Sequence, residues 1–457
     1  MLMPMLSGKR VKLMKDSTIA KSSRSIKVDY LARVEGEGSL YIKFKDKKVS
    51  DVKLKIFEPP RFFEAFLRDR KYMEAPDITA RICGICPVAY QMSSVHAMEK
   101  ILDIKITPQL RDLRRLLYCG EWIESHLLHM FLLHVPDFLG YQDSIQLAKD
   151  YPDIVKTALK IKKVGNDIVN LIGGREIHPI NVRVGGFYRL PEMKELDILF
   201  QDIEWALANS LILMDVLKLL EYPVLERDYE FVSLRYNPEK ETGLKPEYPF
   251  NEGRLVSNKG LDISIEEYEH HFTEIHEKHS NALHSVHNKF GSYHVGPISR
   301  FNLNYDFLPE SVKKVAAELN IMPPVVNPFM SLKVRFVESV YALQEAKRII
   351  ENYRKPESPF IHAEVKAGVG CACTEAPRGI LYHRYKIDEK GLIREAKIVP
   401  PTSQNLSTIE EDLREFAQNN QSLSDEKLTW KCEQTVRNYD PCISCATHFL
   451  NLTVERI

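Results

Sequence analysis

"RICGIC", residues 81–86, and "DPCISCATH", residues 440–448, are the stretches on which the reading of this chain turns. Each carries a Cys-x-x-Cys pair: Cys83 with Cys86, and Cys442 with Cys445. The spacing lets two sulfurs converge on one ion within a single turn, and Gly84 eases the first of those turns. The thiolate is the form that binds soft metals. One pair is half of a four-sulfur shell, and two pairs complete it. Tetrahedral four-sulfur sites suit zinc or iron–sulfur. Zinc modules, however, usually keep their pairs roughly 15–20 residues apart, because the metal stands in for a core. Here residues 87–441 separate the two pairs. A chain this long needs no ion to make a core. Structural zinc, a redox dithiol and a catalytic metal centre all remain open on the residues alone. The other cysteines, Cys119, Cys371, Cys373 and Cys432, lack this arrangement and read as buried or incidental thiols.

Working outward, 63 basic and 63 acidic residues in 457 cancel to zero net charge. That balance argues against a nucleic-acid footprint. The one basic run, Lys9, Arg10, Lys12, Lys15, Lys21 and Arg24, reads as a solvated tail over residues 1–25. No apolar run approaches the roughly 20 residues needed to span a bilayer. "MLMPMLSGKR" is too short and too soon charged for a signal peptide. Eight cysteines are too few for a disulfide scaffold, so the pairs point to metal or redox work in a reducing compartment, the cytoplasm.

Alternation predicts strands over residues 26–58, with "KDKK" as a hairpin turn between "SLYIKF" and "VSDVKLKIF". "PPRFFEAFLRDR" predicts a short helix with proline near its start. Helical spacing runs from Thr107, the expected cap, to about Leu133, and recurs near 144–172, 191–220, 265–289, 328–354 and 406–438. Residues 360–398 read as strands, and 236–253 as a surface excursion rich in Pro, Gly and charge. The fold class expected is helix-rich α+β, a core of long helices with β segments near both ends, in one domain over residues 26–448.

The two cysteine motifs resemble the ligand motifs of nickel–iron hydrogenase large subunits. "RVEGEG" (33–38), "GGREIHP" (173–179), "VGPISRFN" (295–302), "EAPRG" (375–379) and "VPPTSQN" (399–405) resemble further blocks of that family, in order. "ARVEG", "PRFFEA" and "IESHLLH" look most like its cytoplasmic bidirectional branch, which couples hydrogen to NAD(P) or to sulfur reduction. The resemblance implies that Cys83, Cys86, Cys442 and Cys445 bind nickel. It also implies that Cys86 and Cys445 bridge to an iron carrying carbon monoxide and cyanide. Glu35 matches a proton acceptor beside a terminal thiolate. Arg378 matches a residue that overhangs the open nickel–iron position and contacts a cyanide, and Ser403 one that donates to the other cyanide. Asp440 matches the Asp before the last pair. Glu64 and His448 match two ligands of a buried magnesium or iron near the C-terminus, and His178 resembles a residue just outside the ligand shell.

Three positions depart from the family pattern: Tyr90 and Glu37 where His is common, and Ser125, beside Glu124, where other branches have Asp.

Splitting hydrogen needs a metal that accepts hydride and a base that takes the proton. By this resemblance Cys445, Cys442 or Arg378 takes the proton and Glu35 relays it. Electrons leave through a partner, because spare cysteines are too few for an iron–sulfur chain. An iron–sulfur small subunit is therefore implied, with flavin- and NAD(P)-binding diaphorase subunits, since no Gly-x-Gly-x-x-Gly occurs here. Nickel chaperones and a maturation protease are implied as well. The protease would cut between His448 and Phe449 and release residues 449–457. A chain still carrying that tail is expected to lack nickel and to hold its last thiol pair away from the first. Two readings compete with the hydrogenase: a non-catalytic subunit of a respiratory-type complex, which would have lost the thiols, and a zinc-stabilised structural protein.

Overall fold

The computed structural model describes residues 23–238 and 245–447. His448 and the tail 449–457 lie outside these residues, as do residues 1–22. The expected α+β architecture is found, with long helices at the centre and several small sheets around them.

Three antiparallel strands open the described chain: β1 (Ser23–Val28), β2 (Gly38–Lys45) and β3 (Lys48–Ile56), in the order β1-β2-β3. The expected β2–β3 hairpin closes through Asp46 and Lys47, both at positive φ (50° and 61°), the geometry whose twist suits a two-residue hairpin. Its alternation buries Leu40, Ile42, Val52 and Leu54 on one face. Residues 23–25, expected in the basic tail, belong to β1. Arg24 lies in β1, pairs with Asp425 at 2.5 Å and donates to the Gln421 and Leu423 carbonyls.

Among the described residues, seven helices of 13 residues or more form the body: α1 (Pro87–Leu102), α2 (Pro108–Leu127), α3 (Pro152–Gly173), α4 (Met193–Leu219), α5 (Ser331–Glu351), α6 (Pro401–Asn419) and α7 (Asp425–Arg437). Thr107 caps α2 as expected, its Oγ1 accepting from the Leu110 N–H at 3.3 Å. One large cluster of buried side chains joins α2, α3, α4 and α5. Helices α2 and α3 cross closely at Gly120 and Gly165. A Cβ at Gly165 would sit 2.6 Å from the Glu124 nitrogen. A second cluster packs the sheet β1–β3 onto α6 and α7, through Leu406, Ile409, Leu413, Leu428 and Val436.

Four expectations need correction. The 265–289 stretch is a hairpin and not a helix: only Tyr268–His271 is α-helical, and β9 (Phe272–His276) pairs antiparallel with β10 (Leu283–His287). Its six histidines and β-branched Thr273, Ile275 and Val286 fit a pleated surface better than a helix. The 144–172 helix is broken at Tyr151, because Pro152 starts a new helix. The 236–253 segment is not all surface, since Tyr248 and Phe250 are buried. The helix near residue 60 runs only Phe63–Leu67 and leaves both prolines outside it. The strands expected over 360–398 are present as β11 (Gly368–Ala376), β12 (Gly379–Ile387) and β13 (Ile393–Val399). Between β3 and β9, the described residues hold β4 (Val182–Arg183) paired with β5 (Gly186–Phe187), and a three-stranded sheet of β6 (Val232–Arg235), β7 (Arg254–Ser257) and β8 (Asp262–Ile263).

Candidate metal centre

Cys83 ends a short turn, and Cys86 is the residue from which α1 departs, with Pro87 at its first position. Glu121 of α2 accepts the buried first-turn N–H groups of Val88 (2.6 Å) and Ala89 (3.1 Å), so it holds that helix end in place. Cys442 and Cys445 flank the first residues of a four-residue helical turn, Ile443–Ala446. The two pairs meet. Cys83 Sγ lies 3.6 Å from Cys442 Sγ, and Cys86 Sγ lies 4.0 Å from Cys445 Sγ. The ligand atoms of all four residues lie within 4.8 Å of one another, and all four residues are buried. Within the last pair the sulfurs are 2.50 Å apart; four-thiolate ligation uses them as separate thiolates. The expected displacement of the last pair from the first is not found.

The electrostatics favour one negative sulfur. Sharing hydrogen bonds with Cys442, and then with Cys445 and Cys86, holds the Cys83 thiol well below its ordinary range. Backbone N–H groups of Ile85 (3.3 Å) and Cys86 (3.2 Å) also point at its sulfur. Burial pushes the Cys442 and Cys445 thiols up. A cation in the cluster relieves that burial cost by pairing with every thiolate at once.

Glu35 lies beside the cluster. Its Oε2 accepts from Cys442 Sγ at 3.0 Å and from the Ser444 N–H at 3.0 Å, and its carbonyl accepts the Ile443 N–H at 2.8 Å. The residue is only partly buried, so one carboxylate spans from a buried thiol toward solvent. Gly36 is needed for that approach. It sits at φ +87°, and a Cβ there would lie 2.7 Å from Ile443 Cβ and 2.8 Å from the Ser444 nitrogen.

Arg378 and Asp440 form a buried pair. Arg378 Nε donates to the Asp440 carbonyl at 2.6 Å, and Nη2 to Oδ1 at 3.1 Å. Burial opposes the charge of Arg378, but Asp440 and then Cys442, Cys86 and Cys83 outweigh it and keep the guanidinium charged. Burial pushes the Asp440 carboxyl up against the pull of Arg378. Two donors are left over, Arg378 Nη1 and Ser403 Oγ, both buried and both without a hydrogen-bond partner among the described residues. They belong to the two residues that the family resemblance pairs with diatomic ligands of an iron. Four soft sulfurs with two unspent donors fit a nickel–iron centre.

The remaining expected residues are placed as follows. Glu64 Oε1 accepts the Ile398 N–H at 2.8 Å. Its segment reaches the last motif, where the Arg61 N–H donates to the Thr447 carbonyl at 2.6 Å. His448 lies outside the described residues. His178 Nδ1 lies 2.7 Å from the Ala80 carbonyl, three residues before Cys83. Tyr90 is buried, and its hydroxyl has no partner among the described residues. Ser125 and Glu124 are also buried, and burial pushes Glu124 up to about 8. Cys119, Cys371, Cys373 and Cys432 are buried apart from the four-sulfur group.

Three contributors escape the sequence reading. Glu121 is one. Thr402, whose Oγ1 accepts the Cys442 N–H at 2.9 Å, is another. Arg61 is the third: its Nη2 donates to the Ile82 carbonyl at 2.7 Å and also to the Ser444 carbonyl, joining the two motifs. Pro87, followed by an apolar run, was the available signal for α1 and hence for a partner at its N-terminus. Arg61 falls within "PRFFEA", but nothing in that stretch ties it to the cysteine motifs.

A family model described as nickel-dependent hydrogenase matches residues 61–157 and 257–448. This chain belongs to the nickel-dependent hydrogenase family. It is 34% identical to sulfhydrogenase 1 subunit alpha of Pyrococcus furiosus over 93% of this chain and 98% of that one. It is 27% identical to the NAD-reducing hydrogenase HoxS subunit beta of Cupriavidus necator, over 94% and 95% of the two chains. The crystal structure of an NAD+-reducing NiFe-hydrogenase in the H2-reduced state superposes with a TM-score of 0.83 at 22% identity, covering 94% of this chain and all of that one. A NiFeSe-hydrogenase from Dm. baculatum gives 0.76 at 21%, covering 93% and all of it. The hydrogenase is thus an oxidoreductase built on the NiFe large-subunit fold, and it is the catalytic subunit. Among the described residues no helix is long and apolar enough to cross a membrane.

Proposed function

We propose that Cys83, Cys86, Cys442 and Cys445 would hold nickel, and that Cys86 and Cys445 would also hold an iron carrying carbon monoxide and cyanide. The convergence of four buried sulfurs from opposite ends of the chain carries this reading. Bound there, the nickel–iron centre supplies the Lewis acidity that polarises dihydrogen and the redox capacity that accepts its electrons. The residues around it do the rest. Arg378 Nη1 and Ser403 Oγ, both without a partner among the described residues, would donate to the cyanides, and Asp440 fixes the guanidinium. A proton released at Cys442 passes to Glu35 Oε2 across a 3.0 Å hydrogen bond, and from this partly buried carboxylate toward water. Burial of the whole cluster keeps bulk water from competing for the thiolates.

The electrons pass to an iron–sulfur small subunit and on, through flavin-binding subunits, to NAD(P) or sulfur, the acceptors that the names of the relatives suggest. The assembly works in the cytoplasm. Glu64 and His448 hold a magnesium or second iron. Nickel chaperones fill the main site, and a protease then cuts between His448 and Phe449. The family match ends at residue 448, which supports that position. Metal analysis of the purified active assembly, with infrared detection of carbon monoxide and cyanide, is the test. Nickel with iron and both diatomic signals is expected. Zinc alone, or no metal in an active preparation, overturns the reading. Intact mass checks the tail: active protein should end at His448, and active protein ending at Ile457 refutes the cut.

A further inference from the structure

The hairpin β9–β10, expected as helix, brings together a second set of metal-binding side chains. His279 lies in its loop, His284 on β10, and Glu410 on α6. One ligand atom from each lies within 4.8 Å of the other two. We propose that His279, His284 and Glu410 bind a divalent transition-metal cation of the zinc class, separate from the four-cysteine centre.

The donor set is two imidazoles and one carboxylate, which suits zinc and its neighbours better than magnesium or calcium. His279 Nε2 lies 2.7 Å from Glu410 Oε1, and that oxygen also accepts the Leu54 N–H at 2.8 Å. A surface His–Glu hydrogen bond accounts for this contact alone. It does not account for His284. That side chain is buried, its Nδ1 faces Ser407 Oγ at 3.4 Å, and its Nε2 has no hydrogen-bond partner among the described residues. In the tautomer that donates Nδ1–H to Ser407, Nε2 presents a lone pair, the state in which imidazole ligates metal. The ring planes of His279 and His284 are nearly perpendicular, with centroids 5.9 Å apart.

The site is reachable, since the His279 and Glu410 side chains are 15% and 18% exposed. Loading needs a small adjustment. Two ligand atoms on a tetrahedral ion sit about 3.3 Å apart, so His279 and Glu410 separate slightly as the ion replaces their shared proton. The ion would act as a clamp. Asn281, in the same loop as His279, donates its N–H to the Ile56 carbonyl at 2.7 Å at the end of β3. Two residues on, Glu58 accepts the Ser444 hydroxyl at 2.9 Å. One cation would thus tie the hairpin to α6 at Glu410, while Asn281 ties the same loop to the segment that steadies the last cysteine motif.

The test uses the full assembly with its nickel–iron centre filled. Equilibrium dialysis against zinc chloride, followed by metal analysis, should find one zinc per chain beyond the nickel and iron. The double variant His279→Ala/His284→Ala should lose that equivalent while keeping nickel content. Glu410→Gln, which keeps an oxygen for the Leu54 N–H, should weaken zinc binding without loss of nickel. No additional zinc in the parent assembly overturns the proposal, whatever the variants do. An additional equivalent that survives in both variants overturns it too, because the zinc then sits elsewhere.

Discussion

Cys86 stands at the mouth of a 16-residue helix, and the Glu121 carboxylate satisfies the first N–H groups of that helix. Cys442 precedes, and Cys445 lies in, a helical turn of four residues, too short to hold its own shape. The first pair is placed mainly by local structure. The last is placed by groups from distant parts of the chain: Glu35 and Gly36 before β2, Glu58 and Arg61 after β3, and Thr402 at the start of α6. The difference suggests an order of construction, in which a preformed half-site waits on the helical core for a second half that other segments must hold in place.

The chemistry should not respect this difference, and the largest predicted effect tests that. Cys86→Ser and Cys445→Ser should each abolish hydrogen turnover, because hard oxygen poorly replaces a soft thiolate. Hydrogen-uptake assays with nickel analysis check it. Full activity with normal nickel in either variant sinks the ligand assignment.

Next comes the one residue that both positions the last pair and touches its proton. Glu35→Gln keeps an oxygen for the Ser444 N–H but removes the exchangeable carboxyl. Hydrogen–deuterium exchange activity should fall by about 10²-fold or more with metals retained. Unchanged exchange would make Glu35 a brace for the 442–446 turn and nothing more.

The same contrast governs how much the sequence could say. Spacing of cysteines is a one-dimensional signal, so both pairs were legible, as were the β2–β3 hairpin and the long helices, whose periods repeat over many residues. The 265–289 hairpin was misread because its apolar residues are few and spread among histidines and charges, so neither period dominates. Its misreading hid the His279–His284–Glu410 cluster, which exists only once the hairpin folds onto α6. Contacts such as Arg61 to Ser444 join residues hundreds of positions apart and leave no periodic trace.

Arg61 sharpens the comparison because it holds both halves. Its Nη2 serves Ile82 in the first motif and Ser444 in the last. Arg61→Lys keeps the charge but replaces a rigid fork with a single rotatable ammonium. Nickel retention against a chelator should fall by about 10-fold, the lower end for losing a group that orients ligands. Retention equal to the parent would show that the two motifs need no common tie.

The smallest expected effect is the most local. Thr402→Val preserves shape but leaves the buried Cys442 N–H without its acceptor, at a cost of about 1–3 kcal/mol. If the last pair is held only by such distant bonds, the loss should appear as local opening. Amide hydrogen exchange across residues 440–447 should quicken, by about 10-fold for each 1.4 kcal/mol lost. Exchange in α1, where Glu121 still holds the helix end, should not change. Thr402→Ser retains the hydroxyl and should restore protection. Equal quickening in both segments would mean that the two halves open as one unit, and the contrast drawn between them would fail. No quickening in either would mean that the Thr402 bond contributes nothing to holding Cys442.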